Sequence, residues 1–338
     1  MPPAAHHPYR PAPWLSNRHL HTVWGRLARR LPAVPHRRER WTTPDDDFLD
    51  LIRVDAADPA APTFLLLHGL EGTIRSHYLL PTLALARERG WQANALFFRG
   101  CSGEPNRRPR SYHSGETTDL ALVVSRLREE RPDAPIILAG VSLGGNVLLK
   151  FLGEQGDAIT GIVAAATAVS VPFDLARCCT HLDATAPFYS NRFLSTLRLK
   201  ALDKVRQFPG LADPVAIRRA SSLWTFDDAY TSVVHGFRDA ADYYRQSSAI
   251  HFLGGIRVPT LLLSAHDDPF HPPEVLHEAE HLASRNLFIT TEFVDVGGHC
   301  GFVEGDFPWR TSSYSERRAV EFGASQVRPE LAEVTGSQ

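Results

Sequence analysis

A chain of 338 residues with 43% hydrophobic and 22% charged side chains is long enough to bury one large core, and a formal charge of -2 gives no electrostatic footprint for nucleic acid or an anionic membrane. No apolar stretch approaches the roughly twenty residues of a membrane helix, and Met1 to Pro8 lack an apolar signal core, so no membrane span and a cytoplasmic setting are expected. The 4 cysteines, with Cys178 and Cys179 adjacent, form no disulfide framework and fit a reducing compartment.

An arm over residues 1–36 precedes the first strand signals, at 37–42 and 48–54. The apolar run Thr63 to Leu67 reads as a buried strand ending in His68-Gly69-Leu70-Glu71-Gly72. A helix at 79–88 and a strand at 92–98 follow, with Gly100 and Gly103 allowing a sharp loop. Leu120, Val123, Val124 and Leu127, spaced i, i+3, i+4 and i+7, share one helix face. Strands at 135–139 and 159–166 complete this half. Strands alternating with helices predict an α/β fold, a mostly parallel sheet with helices on both faces.

Between the strand at 135–139 and the apolar helix starting at Asn146 lies Gly140-Val141-Ser142-Leu143-Gly144. A G-x-S-x-G between strand and helix is a nucleophile elbow: its turn is tight, and Gly140 and Gly144 lack the Cβ atoms that would collide there. Ser142 is the candidate nucleophile, and the Leu143 N–H, at a helix start, is a candidate oxyanion donor. A second donor is expected from the loop after the third strand, which makes it the Leu70 N–H. Backbone donors leave both side chains free to be leucine.

From 171 to 255 the strand-helix rhythm stops, and short helices are expected near 192–205 and 214–221. The alternation returns with a strand ending at Ser264 and the turn His266-Asp267-Asp268-Pro269, which offers two candidate carboxylates. After a strand at 287–294 comes Gly297-Gly298-His299-Cys300-Gly301-Phe302. Among 16 histidines, position singles out His299 as the base, since it follows the acid and the last strand. Residues 326–338 read as a frayed tail.

The chain resembles alpha/beta hydrolase family four, a group of serine esterases and lipase-like enzymes. The likeness is carried by segments beyond the serine, acid and histidine: Pro13 to Thr22, Phe98 to Asn106, Tyr112-His113-Ser114-Gly115, Phe226-Asp227-Asp228, His235-Gly236-Phe237 with Tyr243-Tyr244, and Gly297 to Phe302. His21 departs from the family's usual glutamine. The resemblance implies carboxylic ester hydrolysis through an acyl-enzyme on Ser142, with short- to medium-chain esters and acylglycerols as substrates and no cofactor or metal. It also assigns the acid to Asp268, which directly precedes a proline, and leaves Asp267 to cap or orient the turn.

The resemblance further implies a core over residues 37–170 and 256–325, with 171–255 as a helical cap over the serine. Phe173, Phe188, Tyr189, Phe193, Trp224, Phe226 and Tyr230 then become candidate acyl-pocket residues, more than half of them expected to be the cap's own core. Acyl transfer to an alcohol is the alternative activity, and a hydrolase-fold protein that binds without turnover is a second.

One rival motif belongs to another chemistry. His277-Glu278-Ala279-Glu280-His281 fits H-E-x-x-H, which on a helix places two imidazoles one turn apart for zinc. Val275, Leu276, Ala279 and Leu282 form that helix's apolar face, however, which sends both histidines toward solvent. Cys101 and Cys300 flank the expected site, but no sequence feature lowers either thiol's pKa.

Overall fold

The computed structural model describes residues 7–327, so the start of the arm and nearly all of the expected tail lie outside the described residues. The arm runs along the body. Pro11 bridges to Glu304, the Ala12 N–H donates to Val303 O at 2.9 Å, and Trp14 Nε1 donates to Gly305 O at 2.9 Å. Helix α1 (Arg18–Ala28) starts where the Asn17 side chain accepts the N–H groups of His19 and Leu20.

Strands β1 (Arg37–Thr42), β2 (Phe48–Val54), β3 (Thr63–Leu67), β4 (Gln92–Phe97), β5 (Ile136–Val141), β6 (Val163–Val169), β7 (Thr260–Ala265) and β8 (Ile289–Val294) form one sheet in the order β1-β2-β4-β3-β5-β6-β7-β8. Only the β1–β2 and β2–β4 pairs are antiparallel. The central strands are apolar on both faces because both are covered. Leu65 and Leu67 share a core with Leu120, Val123, Val124 and Leu127 of α3 (Thr118–Glu130) and with α4 (Leu143–Gln155). Phe64 and Leu66 point the other way, toward α2 (Leu79–Glu88) and the helix at Tyr314–Gln326.

Most expected strand bounds hold to within a residue or two, but the sixth does not. Residues 156–159 form a 3-10 turn and Gly161 takes φ +78, so the strand expected at 159–166 begins only at Val163. Leu287 is fully exposed, and its strand starts at Ile289, within that margin of the expected 287.

Residues 175–247 are helical: α5 (Leu175–Thr185), α6 (Pro187–Gln207), α7 (Pro214–Arg219), α8 (Leu223–Phe226), α9 (Ser232–His235) and α10 (Ala240–Ser247), with a π-helical turn at Asp227–Thr231 joining α8 to α9. The helix expected at 192–205 is therefore longer at both ends, started by Pro187 in its first turn, where the missing N–H costs no hydrogen bond. Helix α11 (Pro273–Ala283) follows β7. The hairpin β9 (Val303–Phe307) and β10 (Arg310–Ser313) leads into α12 (Tyr314–Gln326). Among the described residues no helix is long and apolar enough to cross a membrane.

Candidate active site

Ser142 sits between β5 and α4 with φ 53 and ψ -119, a conformation an L-residue adopts only under strain of about 1–3 kcal/mol. The glycines around it leave room for that turn. A Cβ on Gly140 would lie 2.5 Å from Gly144 O, and one on Gly144 would lie 2.5 Å from His68 O. The elbow thus wedges its helix against both its own strand and the end of β3.

The loop after β3 lies directly on the serine, since a Cβ on Gly69 would come within 3.3 Å of Ser142 Cβ. His68 is buried and holds that loop. Its Nε2 accepts the Phe98 N–H at 3.1 Å, so Nδ1 carries the proton and donates to Gly69 O at 2.7 Å. Burial pushes this imidazole down to about 4, which keeps it neutral. The Gly69 N–H donates to Tyr78 Oη and the Glu71 N–H to Tyr112 Oη, at 2.8 and 3.0 Å. The intervening Leu70 N–H has no acceptor among the described residues, and neither does the Leu143 N–H at the first position of α4. Both expected donors are therefore unengaged, in segments that meet at Ser142.

His299 Nε2 lies 2.9 Å from Ser142 Oγ, and its Nδ1 lies 2.8 Å from Asp268 Oδ2. Burial alone would lower the His299 pKa, but the Asp268 carboxylate outweighs it and the net shift is upward. Burial would raise the Asp268 carboxyl. The charges of His271 and His299, with hydrogen bonds that include the Phe270 N–H at 2.8 Å, hold it below its ordinary value. Asp267 is spent differently: its Oδ1 accepts the N–H groups of both Gly297 and Gly298 at 2.8 Å, tying down the loop that carries His299.

Several supports carry no local sequence signal. Phe270 stacks on the His299 ring at 3.8 Å between centroids with a 7° interplanar angle. Thr22 of α1 accepts the His299 N–H on its Oγ1 at 2.9 Å. His271 is buried with neither ring nitrogen hydrogen-bonded, and its Nδ1 is 3.7 Å from Asp268 Oδ2. Burial pushes its pKa down to about 4. His21, the departure from the family pattern, is fully buried where α1 meets the glycines of the His299 loop.

Among the described residues the group whose donor atoms converge closely enough for a cation is Asp268, His271 and His299, all within 4.8 Å. A cation there would take His299 away from Asp268 and Ser142. His277 and His281 are both exposed, on the outer side of α11. Cys101 is buried beside Lys200, and burial pushes its thiol up to about 12, the opposite of an activated thiol. Arg99, by contrast, holds the loop at 98–106 in place through Asp119 at 2.8 Å and Asp45 at 2.8 Å.

A cavity of about 1590 Å³ opens above Ser142, walled on one side by the loops just described and on the other by α5, α6 and the π-helical turn. Of the aromatic residues expected there, Phe188, Tyr189, Phe193, Phe226 and Tyr230 line it. Phe173 and Trp224 do not. Phe173 is fully buried against Phe293, and Trp224 packs on Tyr244, so both belong to the packing beneath. Lys200 of α6 spans the cavity to Glu71 of the loop after β3, at 2.8 Å.

Comparison with known proteins agrees with this architecture. A family model described as alpha/beta hydrolase fold matches residues 62–306. The Escherichia coli (strain K12) protein YheT, whose esterase assignment is itself provisional, is 39% identical over 86% of this chain and 85% of its own. Phospholipase ABHD3 of Mus musculus is 32% identical over 94% of this chain and 79% of its own. Among solved structures, the Pyrococcus furiosus esterase Pf2001 superposes with a TM-score of 0.56 over 86% of this chain and 92% of its own, at 16% identity, a likeness of fold alone. The chain belongs to the alpha/beta hydrolase family.

Proposed function

We propose that this protein is a carboxylic ester hydrolase working through an acyl-enzyme on Ser142. His299 Nε2 takes the Ser142 proton as Oγ attacks the ester carbonyl, and Asp268 holds the imidazole tautomer and stabilises the imidazolium. The Leu70 and Leu143 N–H groups receive the oxyanion. His299 then returns the proton to the leaving alcohol, and water repeats the sequence to release the acid. The single observation that carries the reading is the continuous chain from Ser142 Oγ to His299 to Asp268, at 2.9 and 2.8 Å, beneath two unengaged amides.

The helices within residues 171–255 serve in this reading as a cap that shapes the acyl pocket. The cavity exceeds the roughly 300–1,000 Å³ of common small-ligand sites, which favours acyl esters with a chain, including acylglycerols, over acetate-sized ones. The names of the relatives, esterase, phospholipase and monoacylglycerol lipase, fall in the same class. We place the enzyme in the cytoplasm, in keeping with four buried free cysteines.

A graded series of p-nitrophenyl acyl esters, run with and without glycerol or ethanol, tests the reading. Turnover that rises from short to medium chains with free acid as product supports it. Partition of the acyl group into a new ester would move the assignment to an acyltransferase, and no turnover with any ester would refute it.

A further inference from the structure

The cavity mouth differs in character from the rest of the surface. Large apolar side chains are exposed around it: Leu27 at 72%, Leu199 at 65% and Phe188 at 54%. On α1 the exposed Leu20 and Leu27 stand two turns apart on one face, and on α6 the exposed Phe188, Arg192, Ser195 and Leu199 follow a single stripe. The two helices meet at this mouth, where the His19 ring lies 5.6 Å from that of Phe188 and Val23 packs against the cluster of Leu182, Ala186 and Tyr189. Gly25 of α1 abuts His77, which brings the loop bearing Arg75 to the same rim.

The charge left over there has one sign. Among the acids lining the cavity, Glu71 is paired with Lys200, Glu104 with Arg40 and Asp203 with Arg206, while Asp227 is buried on Tyr244. Arg26, Arg75 and Arg192, all exposed at the mouth, have no carboxylate partner among the described residues. An overall charge of -2 therefore conceals a local patch of uncompensated positive charge around an apolar rim. Exposed apolar side chains framed by arginines match a lipid surface with anionic headgroups: the apolar groups enter the acyl boundary while the guanidinium groups meet phosphate.

We propose that the mouth framed by α1 and α6 seats on an anionic lipid surface, so that an ester passes from the lipid phase into the cavity without crossing water. The passage of an ester rests on the hydrolase reading above; the docking does not.

The test uses the Ser142→Ala protein, which keeps the surface and separates docking from catalysis. It is sedimented with vesicles of phosphatidylcholine alone and of phosphatidylcholine mixed with phosphatidylglycerol. Binding to the mixed vesicles, weak binding to the neutral ones and release by salt are expected. At roughly fivefold per arginine, Arg26→Glu, Arg75→Glu and Arg192→Glu together should weaken binding about a hundredfold or more. Leu27→Ser with Leu199→Ser should weaken it further, and thermal unfolding checks that each variant is folded. Failure to bind mixed vesicles, equal binding to neutral vesicles, or undiminished binding by the charge-reversed variant would each overturn the proposal. An acidic protein partner for this face would show itself as the first of these outcomes.

Discussion

Thr22 and His299 lie 277 residues apart, yet Thr22 Oγ1 accepts the His299 N–H at 2.9 Å. The arm before the first strand thus anchors the backbone of the proposed base. Thr22→Val keeps the shape and removes the acceptor, leaving that N–H unsatisfied at a cost of about 1–3 kcal/mol. The expected result is a fall in kcat of roughly tenfold, by the positioning argument, with KM little changed. Serine at this position should restore it, and a variant indistinguishable from wild type would deny the arm this role.

The adjacent aspartates should separate cleanly. Asp268→Asn removes the partner that fixes the His299 tautomer and should lower kcat by roughly 10⁴-fold with the fold intact. Asp267→Asn weakens the hold on Gly297 and Gly298 instead, so its main effect should be on melting temperature. Steady-state kinetics paired with thermal unfolding distinguishes the two, and the reverse ranking would transfer the acid's role to Asp267.

The pH profile follows from the sign of the His299 shift. Its pKa is raised above the ordinary 6.5 by Asp268 against the pull of burial, and only the neutral imidazole can take the serine proton. Hence kcat/KM for an uncharged ester should rise with pH through a midpoint above 6.5. The linkage to stability runs the opposite way: the paired imidazolium's contribution is full below the unfolded value and is lost as pH rises through the folded one. A rate midpoint below 6.5 would mean that burial outweighs the carboxylate.

The H-E-x-x-H segment gives a fourth test. His277 and His281 are exposed on α11, so changing both to alanine should move stability by no more than about 0.5 kcal/mol and leave ester turnover near wild type, with or without EDTA. Loss of activity on chelation, restored by zinc, would favour metal chemistry instead.

What could be read from the sequence was what is local. The elbow at Ser142 is a strand, a tight turn and a helix in consecutive residues, so pattern and glycine placement were enough to find its geometry. The buried strands were legible because both of their faces are covered. Asp267 and Asp268 were told apart only through the family resemblance, by the proline after Asp268, because neighbouring side chains diverge only once the turn is built and each meets its own partner. Thr22, Phe270 and His271 carry no motif, and their contacts depend on elements brought together by the fold. The sixth strand was misplaced because an apolar stretch containing Gly161 reads like a strand until its positive φ makes a turn of it.

The account rests on Ser142 as nucleophile, and covalent labelling measures that most directly. A fluorophosphonate probe, followed by peptide mass mapping, should modify Ser142 in the wild-type protein, and Ser142→Ala should abolish labelling and lower kcat by roughly a millionfold. Labelling at another residue, or ester turnover that survives in Ser142→Ala, would contradict it.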